Sequence, residues 1–209
     1  RIAEDFIDIL PDFARRTPVV DPDNHHLYVT LGCAAENLVI AANASGRAAK
    51  TSVQTDDAGD TFIRIDLSRQ GPETDRTLCD AIPKRQSTKS EYDGTQVSGE
   101  EWRALEKSAA GQGGHAFFIT DRERMDQALQ FIQAGNSAQM DDPDFVRELK
   151  SWIRFSTNAS IKAGDGLSGP PAGTPSSPDW LGPVLFRFLF TKKKENDKLA
   201  RQLASSAGL

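Results

Sequence analysis

A short basic stretch, residues 82–94 with the sequence IPKRQSTKSEYDG, holds three side chains that could act together on one anion. Arg85, Ser87 and Lys89 alternate along this stretch, and alternating side chains on an extended segment point to the same side. A guanidinium, a hydroxyl and an ammonium can meet on one phosphate monoester, which carries about −1.5 to −2 charge. The stretch therefore predicts a phosphate-binding site. The alternative is a solvated basic loop, because short basic clusters beside helix ends are usually exposed to water.

Other motifs that carry chemistry are missing from the sequence. No Gly-x-Gly-x-x-Gly follows a predicted strand, and there is neither a Walker-type loop ending in Gly-Lys-Ser/Thr nor a Gly-x-Ser-x-Gly elbow. Cys33 and Cys79 have no metal-ligand spacing, so we interpret both as reduced packing residues. His25 and His26 would point about 100° apart on a helix, so we interpret them as polar residues at a helix start. The sequence thus predicts no metal site and no catalytic side chain.

Composition and charge exclude several classes of partner. The chain has 209 residues, of which 38% are hydrophobic and 26% charged, as in soluble globular proteins with one domain or two small ones. Its net charge of −5 argues against sequence-independent binding to nucleic acid. No uninterrupted run of 18 apolar residues occurs, which predicts no transmembrane helix. We expect no nucleic acid or membrane partner and a cytoplasmic location, although an export signal could precede residue 1.

The first third of the chain predicts a small sheet and one long helix. Strands are expected over DFIDILP, AKTSVQT and TFIRIDLSR, and the Asp- and Gly-rich turn DDAGD joins the last two as a hairpin. Residues 23–45 are apolar nearly all round, with Glu36 and Asn37 almost alone on the polar side. Such a helix is typically buried, so we expect either the long central helix of the fold or the seam of an oligomer.

The remainder predicts helices, one strand and a long loop. Helix starts are indicated by Thr74 or Asp75, by a capping box of Ser98 and Glu101, by Asp121 and by Asp142 with Pro143; the last helix spans about Glu195 to Ala204. HAFFIT reads as a strand, GQGG breaks the helix before it, and residues 162–183 form a segment rich in Gly, Pro and Ser. Because helices do not alternate strictly with strands, we predict an α+β fold with an antiparallel-rich sheet surrounded by helices.

In its context, the basic stretch resembles the nitroreductase family of FMN flavoproteins. Arg85-Gln86-Ser87-Thr88-Lys89 is similar to the family's Arg-x-Ser-x-Arg/Lys element, Tyr92-Asp93 to its aromatic–Asp pair, and Ser98 to Leu105 to the capped helix that follows. The resemblance implies a nitroreductase-like fold in which Arg85, Ser87 and Lys89 hold the phosphate and ribityl tail of FMN. It also implies NAD(P)H as co-substrate and a homodimer or an internal pseudo-dimer.

The segment RRTPVVDPDNHHLYVTLGCAAENLVIAANASGRAAK is similar to a narrower branch, in which two nitroreductase-like units are fused and some members sequester flavin or carry twin-arginine signals. This resemblance implies that residues 1–72 are the C-terminal part of a first unit and residues 73–209 the start of a second, in a chain incomplete at both ends. It also maps Asn196 and Lys198 onto cofactor-binding positions, against the alternative of a solvated helix start. The family's Asn-x-Gln-Pro-Trp loop does not occur here.

Three functions follow from these patterns. The first is an FMN-dependent oxidoreductase that passes electrons from NAD(P)H to nitroaromatic or quinone-like acceptors. Trp152, Phe155 and residues 163–183 are then candidates for a lid over the flavin, with core packing as the alternative for the two aromatic side chains. The second is a non-catalytic protein that sequesters FMN under the same lid. The third is an interaction module without flavin, whose apolar helix 23–45 pairs with a partner.

Overall fold

The computed structural model describes residues 1–69, 71, 75–87, 90–110, 115–168 and 177–209, without the side chains of residues 183, 185, 187 and 189. The chain divides into two compact units, residues Arg1–Gln86 and Ser87–Leu209. The division lies after the short helix that we had expected to open the second unit at about residue 73. The fold mixes helices with a small antiparallel sheet, which is compatible with the predicted α+β class.

The first unit is built on a three-stranded antiparallel sheet. Its strands are β1 (Phe6–Ile9), β2 (Ala49–Thr55) and β3 (Thr61–Leu67), in the order β1-β3-β2. In the turn between β2 and β3, the Asp56 carboxylate accepts hydrogen bonds from the N–H groups of Ala58 and Asp60, and Gly59 takes a φ of +88°. Such side-chain-to-main-chain hydrogen bonds and a positive φ at glycine are typical of a tight turn. The three predicted strands and the hairpin are therefore confirmed.

The long apolar helix α1 (His25–Ala44) packs against this sheet. Leu31 and Ala35 are its buried residues, and they meet a sheet whose central residue, Ile65, is fully buried. Val29 remains 50% exposed. The helix is therefore confirmed, but the prediction that it is a buried central helix is wrong, because Leu31 and Ala35 alone among its residues are buried. The alternative, that α1 forms the seam of an oligomer, stays a prediction.

Helix α1 is also long and apolar enough to cross a membrane by length and composition. Its most apolar window has a mean hydropathy of 1.3, and 11% of that window is buried. The prediction of no transmembrane helix was based on uninterrupted apolar runs, and Glu36 and Asn37 interrupt the run in this helix. Core helices of soluble proteins pass the same test, and here one side of α1 contacts the sheet.

A short helix, α2 (Thr77–Ala81), and a 3-10 turn over Ile82–Lys84 end the first unit. The Asp75 carboxylate accepts a hydrogen bond from the N–H of Thr77 at 3.0 Å, as expected of a residue that starts a helix. Thr74, the other predicted start, lies outside the described residues.

The second unit is mainly helical. Its helices are α3 (Gly99–Ala109), α4 (Arg122–Asp141), α5 (Pro143–Trp152), α6 (Thr157–Ala163), α7 (Gly182–Leu189) and α8 (Lys192–Ser205). The capping box of Ser98 and Glu101 is confirmed, as are the caps at Asp121 and Asp142. Helix α8 begins earlier than predicted, at Lys192, and its Leu203 is buried, as is Met125 of the α4 helix that packs along it.

The predicted strand HAFFIT is not a strand in the structure. Within it, Ile119 alone exchanges main-chain hydrogen bonds with Leu209, at 2.8 and 2.9 Å, among the residues that are described. Phe118 packs on Trp102 with 4.9 Å between ring centroids. The segment has the composition of a strand, but a strand requires a partner along its length. The GQGG stretch before it lies outside the described residues.

A small parallel pair, β4 (Ile153–Arg154) with β5 (Leu167–Ser168), was not predicted, and neither was helix α6. An ion pair of Arg154 with Asp165, at 2.6 Å, closes the turn between α6 and β5.

The sequence Gly164-Asp165-Gly166 in this turn opens a Gly-x-Gly-x-x-Gly pattern. It follows a helix and leads into a strand, which is the reverse of the order in a dinucleotide-binding fold.

Candidate functional site

Arg85 is placed by the turn before it. Pro83 lies in the first positions of the 3-10 turn, and Arg85, immediately after the turn, is extended with φ −67° and ψ 131°. Its N–H donates to the Ala81 carbonyl at 3.0 Å, which ties the main chain of Arg85 to the end of α2. The Arg85 side chain is exposed. A fixed main chain with an exposed guanidinium suits the binding of a solute anion.

Ser87, also exposed, is the first residue of the second unit, whereas Arg85 belongs to the first. Lys89, the third predicted ligand, lies outside the described residues. The structure therefore describes two of the three predicted phosphate ligands, each within its own unit.

The chain just beyond these residues is anchored to helix α8. The main-chain N–H of Tyr92 donates to the Ser205 hydroxyl at 2.9 Å, and the Glu91 carboxylate pairs with the Arg201 guanidinium at 2.7 Å. Lys198 lies on the same face of α8 as Arg201 and Ser205, because residues three, four and seven apart on a helix are neighbours. The face of α8 that anchors the loop thus also presents Lys198, which is half-buried.

Asp93, the acidic member of the aromatic–Asp pair, forms a local turn. Its carboxylate accepts a hydrogen bond from the Thr95 N–H at 2.9 Å, and Gly94 between them takes a φ of +79°. This main-chain bond, with a further bond from the Thr95 side chain, lowers the pKa of Asp93. Asp93 therefore shapes the loop, while the Tyr92 side chain is 53% exposed.

Asn196 is used mainly to join two helices. Its amide oxygen accepts a hydrogen bond from Asn136 at 2.7 Å, its amide nitrogen donates to the Ser137 hydroxyl at 2.9 Å, and its carbonyl accepts from Gln133 at 3.1 Å. A side-chain amide has two donor hydrogens. One of the two hydrogens of Asn196 is used in the bond to Ser137. No sequence pattern indicated these contacts between α4 and α8.

The two lid candidates differ in their surroundings. Phe155 meets Phe186 edge-on at 6.4 Å between centroids, and Phe186 stacks on Phe190 at 4.7 Å. Gly182 lies so close to Phe155 that a Cβ there would come within 2.2 Å of the ring. Phe155 thus packs in a small aromatic cluster, as the core-packing alternative predicts. Trp152 has the Arg154 guanidinium 5.8 Å from its ring centroid, and residues 169–176 of the candidate lid lie outside the described residues.

Two buried carboxylates escaped the sequence analysis. In the first, Asp8 on β1 forms a two-pronged pair with Arg64 on β3, at 2.7 and 2.8 Å, and the Arg64 guanidinium lies 4.0 Å from the centroid of the Phe6 ring. The hydrogen bond from Arg64 lowers the pKa of Asp8 against the opposing effect of burial. The two residues face each other directly in the sheet, so only the strand register reveals the pair.

The second buried carboxylate, Asp21, caps helix α1. Burial by itself raises its pKa, but hydrogen bonds from the N–H groups of His26 and Leu27, both at 3.0 Å, outweigh burial, and the net pKa is lowered. Asn24, immediately before the helix, has a left-handed main-chain conformation with φ 59°, and its side chain makes no capping hydrogen bond. Asp21 therefore replaces it as the cap, which gives the Asp-Pro turn before α1 a structural role.

The other titratable groups in the described part of the chain are not arranged as a metal centre. Within the described ranges, no three His, Cys, Asp or Glu side chains are grouped so that they could hold an ion. Cys33 is an exposed free thiol, so its interpretation as a packing residue is wrong, and Cys79 is a half-buried free thiol. No protein-family model matches this sequence, and neither a curated protein nor a solved structure matches it.

Proposed function

We propose that the chain belongs to an FMN-dependent oxidoreductase with a nitroreductase-like fold, which passes electrons from NAD(P)H through the flavin to a nitroaromatic or quinone-like acceptor. The observation that carries this proposal is the Arg85-x-Ser87-x-Lys89 element, followed by a loop that is anchored to α8. A bound flavin would supply the redox chemistry, and the residues of this chain would bind and orient it.

The chemistry of the donors fits a phosphate. Arg85 presents an exposed guanidinium from an extended main chain, and such a group can donate two parallel N–H bonds to a phosphate. A hydrogen bond to a charged group contributes about 1.5–3 kcal/mol. Removal of the guanidinium should therefore weaken FMN binding by about tenfold to a hundredfold. Ser87 would add a hydroxyl donor and Lys89 a second positive charge.

Two residues of α8 complete the proposed set. Lys198 lies on the helix face that anchors the loop, so we assign it to the phosphate side of the site. Asn196 keeps one amide hydrogen beyond its bonds to the α4 helix, and this limits it to one further hydrogen bond. We rank Asn196 below Lys198 for this reason.

The proposal also covers assembly and location. The exposed apolar side of α1, which includes Val29, would be covered in a homodimer or an internal pseudo-dimer. We place the protein in the cytoplasm, with no membrane or nucleic acid as partner.

The test begins with the colour of the purified protein. The enzyme should retain FMN or bind added FMN stoichiometrically, and anaerobic mixing with NADPH in a stopped-flow instrument should bleach the oxidised flavin. Bound flavin whose absorbance persists with NADPH would support a sequestering protein instead. A protein that stays colourless and binds no added FMN would overturn both functions.

A further inference from the structure

Strand β2 forms an open edge of the sheet in the first unit. The order β1-β3-β2 leaves β2 paired on one side, and no main-chain hydrogen bond reaches its other side from the described part of the chain. We propose that β2 pairs with β2 of a second copy of this chain, in an antiparallel arrangement centred on Ser52, which joins two three-stranded sheets into one. The proposal concerns the sheet edge and not the exposed side of α1, and it does not rest on flavin binding.

The hydrogen bonds between β2 and β3 show which main-chain groups of β2 are open. In an antiparallel pair, every second residue bonds to the neighbouring strand and the residues between direct their N–H and C=O groups away from it. The Asp56 N–H donates to the Asp60 carbonyl at 3.0 Å, and the Ser68 N–H donates to the Ala48 carbonyl at 2.9 Å. The register between these bonds is unbroken, so the even-numbered residues of β2 are bonded to β3. The residues that direct their main-chain groups outward are therefore Ala49, Thr51, Val53 and Thr55.

The other edge of the same sheet is already covered. On β1, the Phe6 carbonyl accepts a hydrogen bond from the Ala3 N–H, and the Asp8 N–H donates to the Arg1 carbonyl, both at 2.9 Å. Proteins commonly cover edge strands, because an unpaired edge is a template for pairing with another chain. Within the described residues β2 lacks such a cover, so β2 is the edge to which a partner strand can be added.

The positions of the open groups select one register for this pairing. Only an antiparallel arrangement centred on Ser52 pairs all four outward-directed residues with one another. It sets Ala49 opposite Thr55 of the second copy. It also sets Thr51 opposite Val53, whose side chain is 72% exposed in the single chain. Each of these pairs exchanges two main-chain hydrogen bonds, and side chains that face each other across the strands pack together.

The charges at the two ends of β2 fit a second copy of the same strand. Arg47 lies just before β2 and Asp57 just after it, and both are exposed. In the arrangement centred on Ser52, Arg47 of each copy lies beside Asp57 of the other, while Lys50 faces the uncharged Gln54. A parallel arrangement in register would instead set each charged residue beside its own counterpart, and like charges directly opposite are destabilising. Charge complementarity thus favours an antiparallel pair of identical strands.

The experiment measures self-association of the purified chain by sedimentation velocity over a series of concentrations. The wild type should shift from monomer to dimer as its concentration rises. Thr51→Pro removes an outward N–H but no bond to β3, and proline is tolerated in edge strands where its nitrogen faces away from the sheet. This variant should remain monomeric where the wild type is dimeric, with an unchanged circular dichroism spectrum.

Two charge reversals test the register without changing a residue of the strand, and they decide the matter if the proline variant does not fold. Arg47→Glu and Asp57→Lys each affect two contacts in a symmetric dimer, so each should weaken dimerisation by about twofold to thirtyfold. The double variant Arg47→Glu with Asp57→Lys should restore it. Arg16→Glu is the matched control, because it makes the same charge change at an exposed arginine that follows β1, and it should dimerise as the wild type does.

Several outcomes would overturn the inference. A wild type that stays monomeric over the whole concentration range is one, and Thr51→Pro and charge variants that all dimerise as the wild type does are another. If that persistent dimer dissociates on Val29→Asp, the contact lies on α1 instead. Charge reversals that weaken the dimer without restoration in the double variant would contradict the register centred on Ser52.

Discussion

Two buried carboxylates of the first unit and the polar side chains in the stretch at the unit boundary are held in opposite ways. Asp8 and Asp21 are buried, with 4% and 5% of their surface exposed, and each is bound by several donors of its own unit. Arg85 and Ser87 are exposed, and the main chain of Arg85 is tied to the end of α2. In this protein, a buried carboxylate with a lowered pKa holds structural elements together. The candidates for ligand binding are instead exposed hydrogen-bond donors.

The largest predicted effects test whether the two units have separate cores. Ile65 and Met125 are each fully buried, one in each unit. Ile65→Ala and Met125→Ala should each cost about 2–5 kcal/mol of unfolding free energy, because each deletes buried side-chain atoms and leaves a cavity. Hydrogen exchange followed by mass spectrometry should show faster exchange over residues 49–67 in the first variant and over residues 122–141 in the second. Equal acceleration of both segments in either variant would show one shared core.

The next prediction concerns the buried ion pair of the first unit. The pKa of Asp8 is held below its ordinary value of 3.8, so the pair stabilises the fold fully above that value and ceases to do so as the pH falls through the lowered pKa. Asp8→Asn should lower the melting temperature at neutral pH and flatten its fall in acid. The measurement is a melting curve from neutral pH into the acid range. A variant with the wild-type acid dependence would show that this pair does not control it.

The smallest stability effect is expected at an exposed helix start in the second unit. Helix α3 has no buried residue, and Ser98 caps it by accepting the Glu101 N–H at 3.2 Å. Ser98→Ala should cost about 1 kcal/mol. Ser108→Ala, on the same helix, removes only a bond to the Leu105 carbonyl and serves as the control in urea titrations. Equal losses in the two variants would contradict a special role for the cap.

Local signals made part of this structure predictable. The hairpin turn and the caps at Ser98, Asp121 and Asp142 depend on side chains within a few residues of the bonds they form, so the sequence contains both partners side by side. Features that depend on distant partners were either not predicted or predicted wrongly. The exposure of α1, the absence of a strand at HAFFIT and the β4–β5 pair are all decided by which segments meet in space.

The candidate site also combines features set by neighbouring residues with features set by distant partners. The exposure of Arg85 and the turn before it follow from Pro83 and the polar sequence around it. The attachment of Glu91 and Tyr92 to α8 joins residues more than one hundred positions apart, at separations of 110 and 113. No periodicity in a single sequence reports such a contact, which is why the sequence did not predict the attachment of this loop to α8.

The central claim is that Arg85 binds the phosphate of FMN, and one titration tests it most directly. FMN and riboflavin are titrated against the wild type, Arg85→Gln and the neighbouring control Lys84→Gln. We predict that Arg85→Gln weakens FMN binding by about tenfold to a hundredfold, leaves riboflavin binding unchanged and differs in this from the control. FMN affinity that is the same in Arg85→Gln as in the wild type would contradict the account.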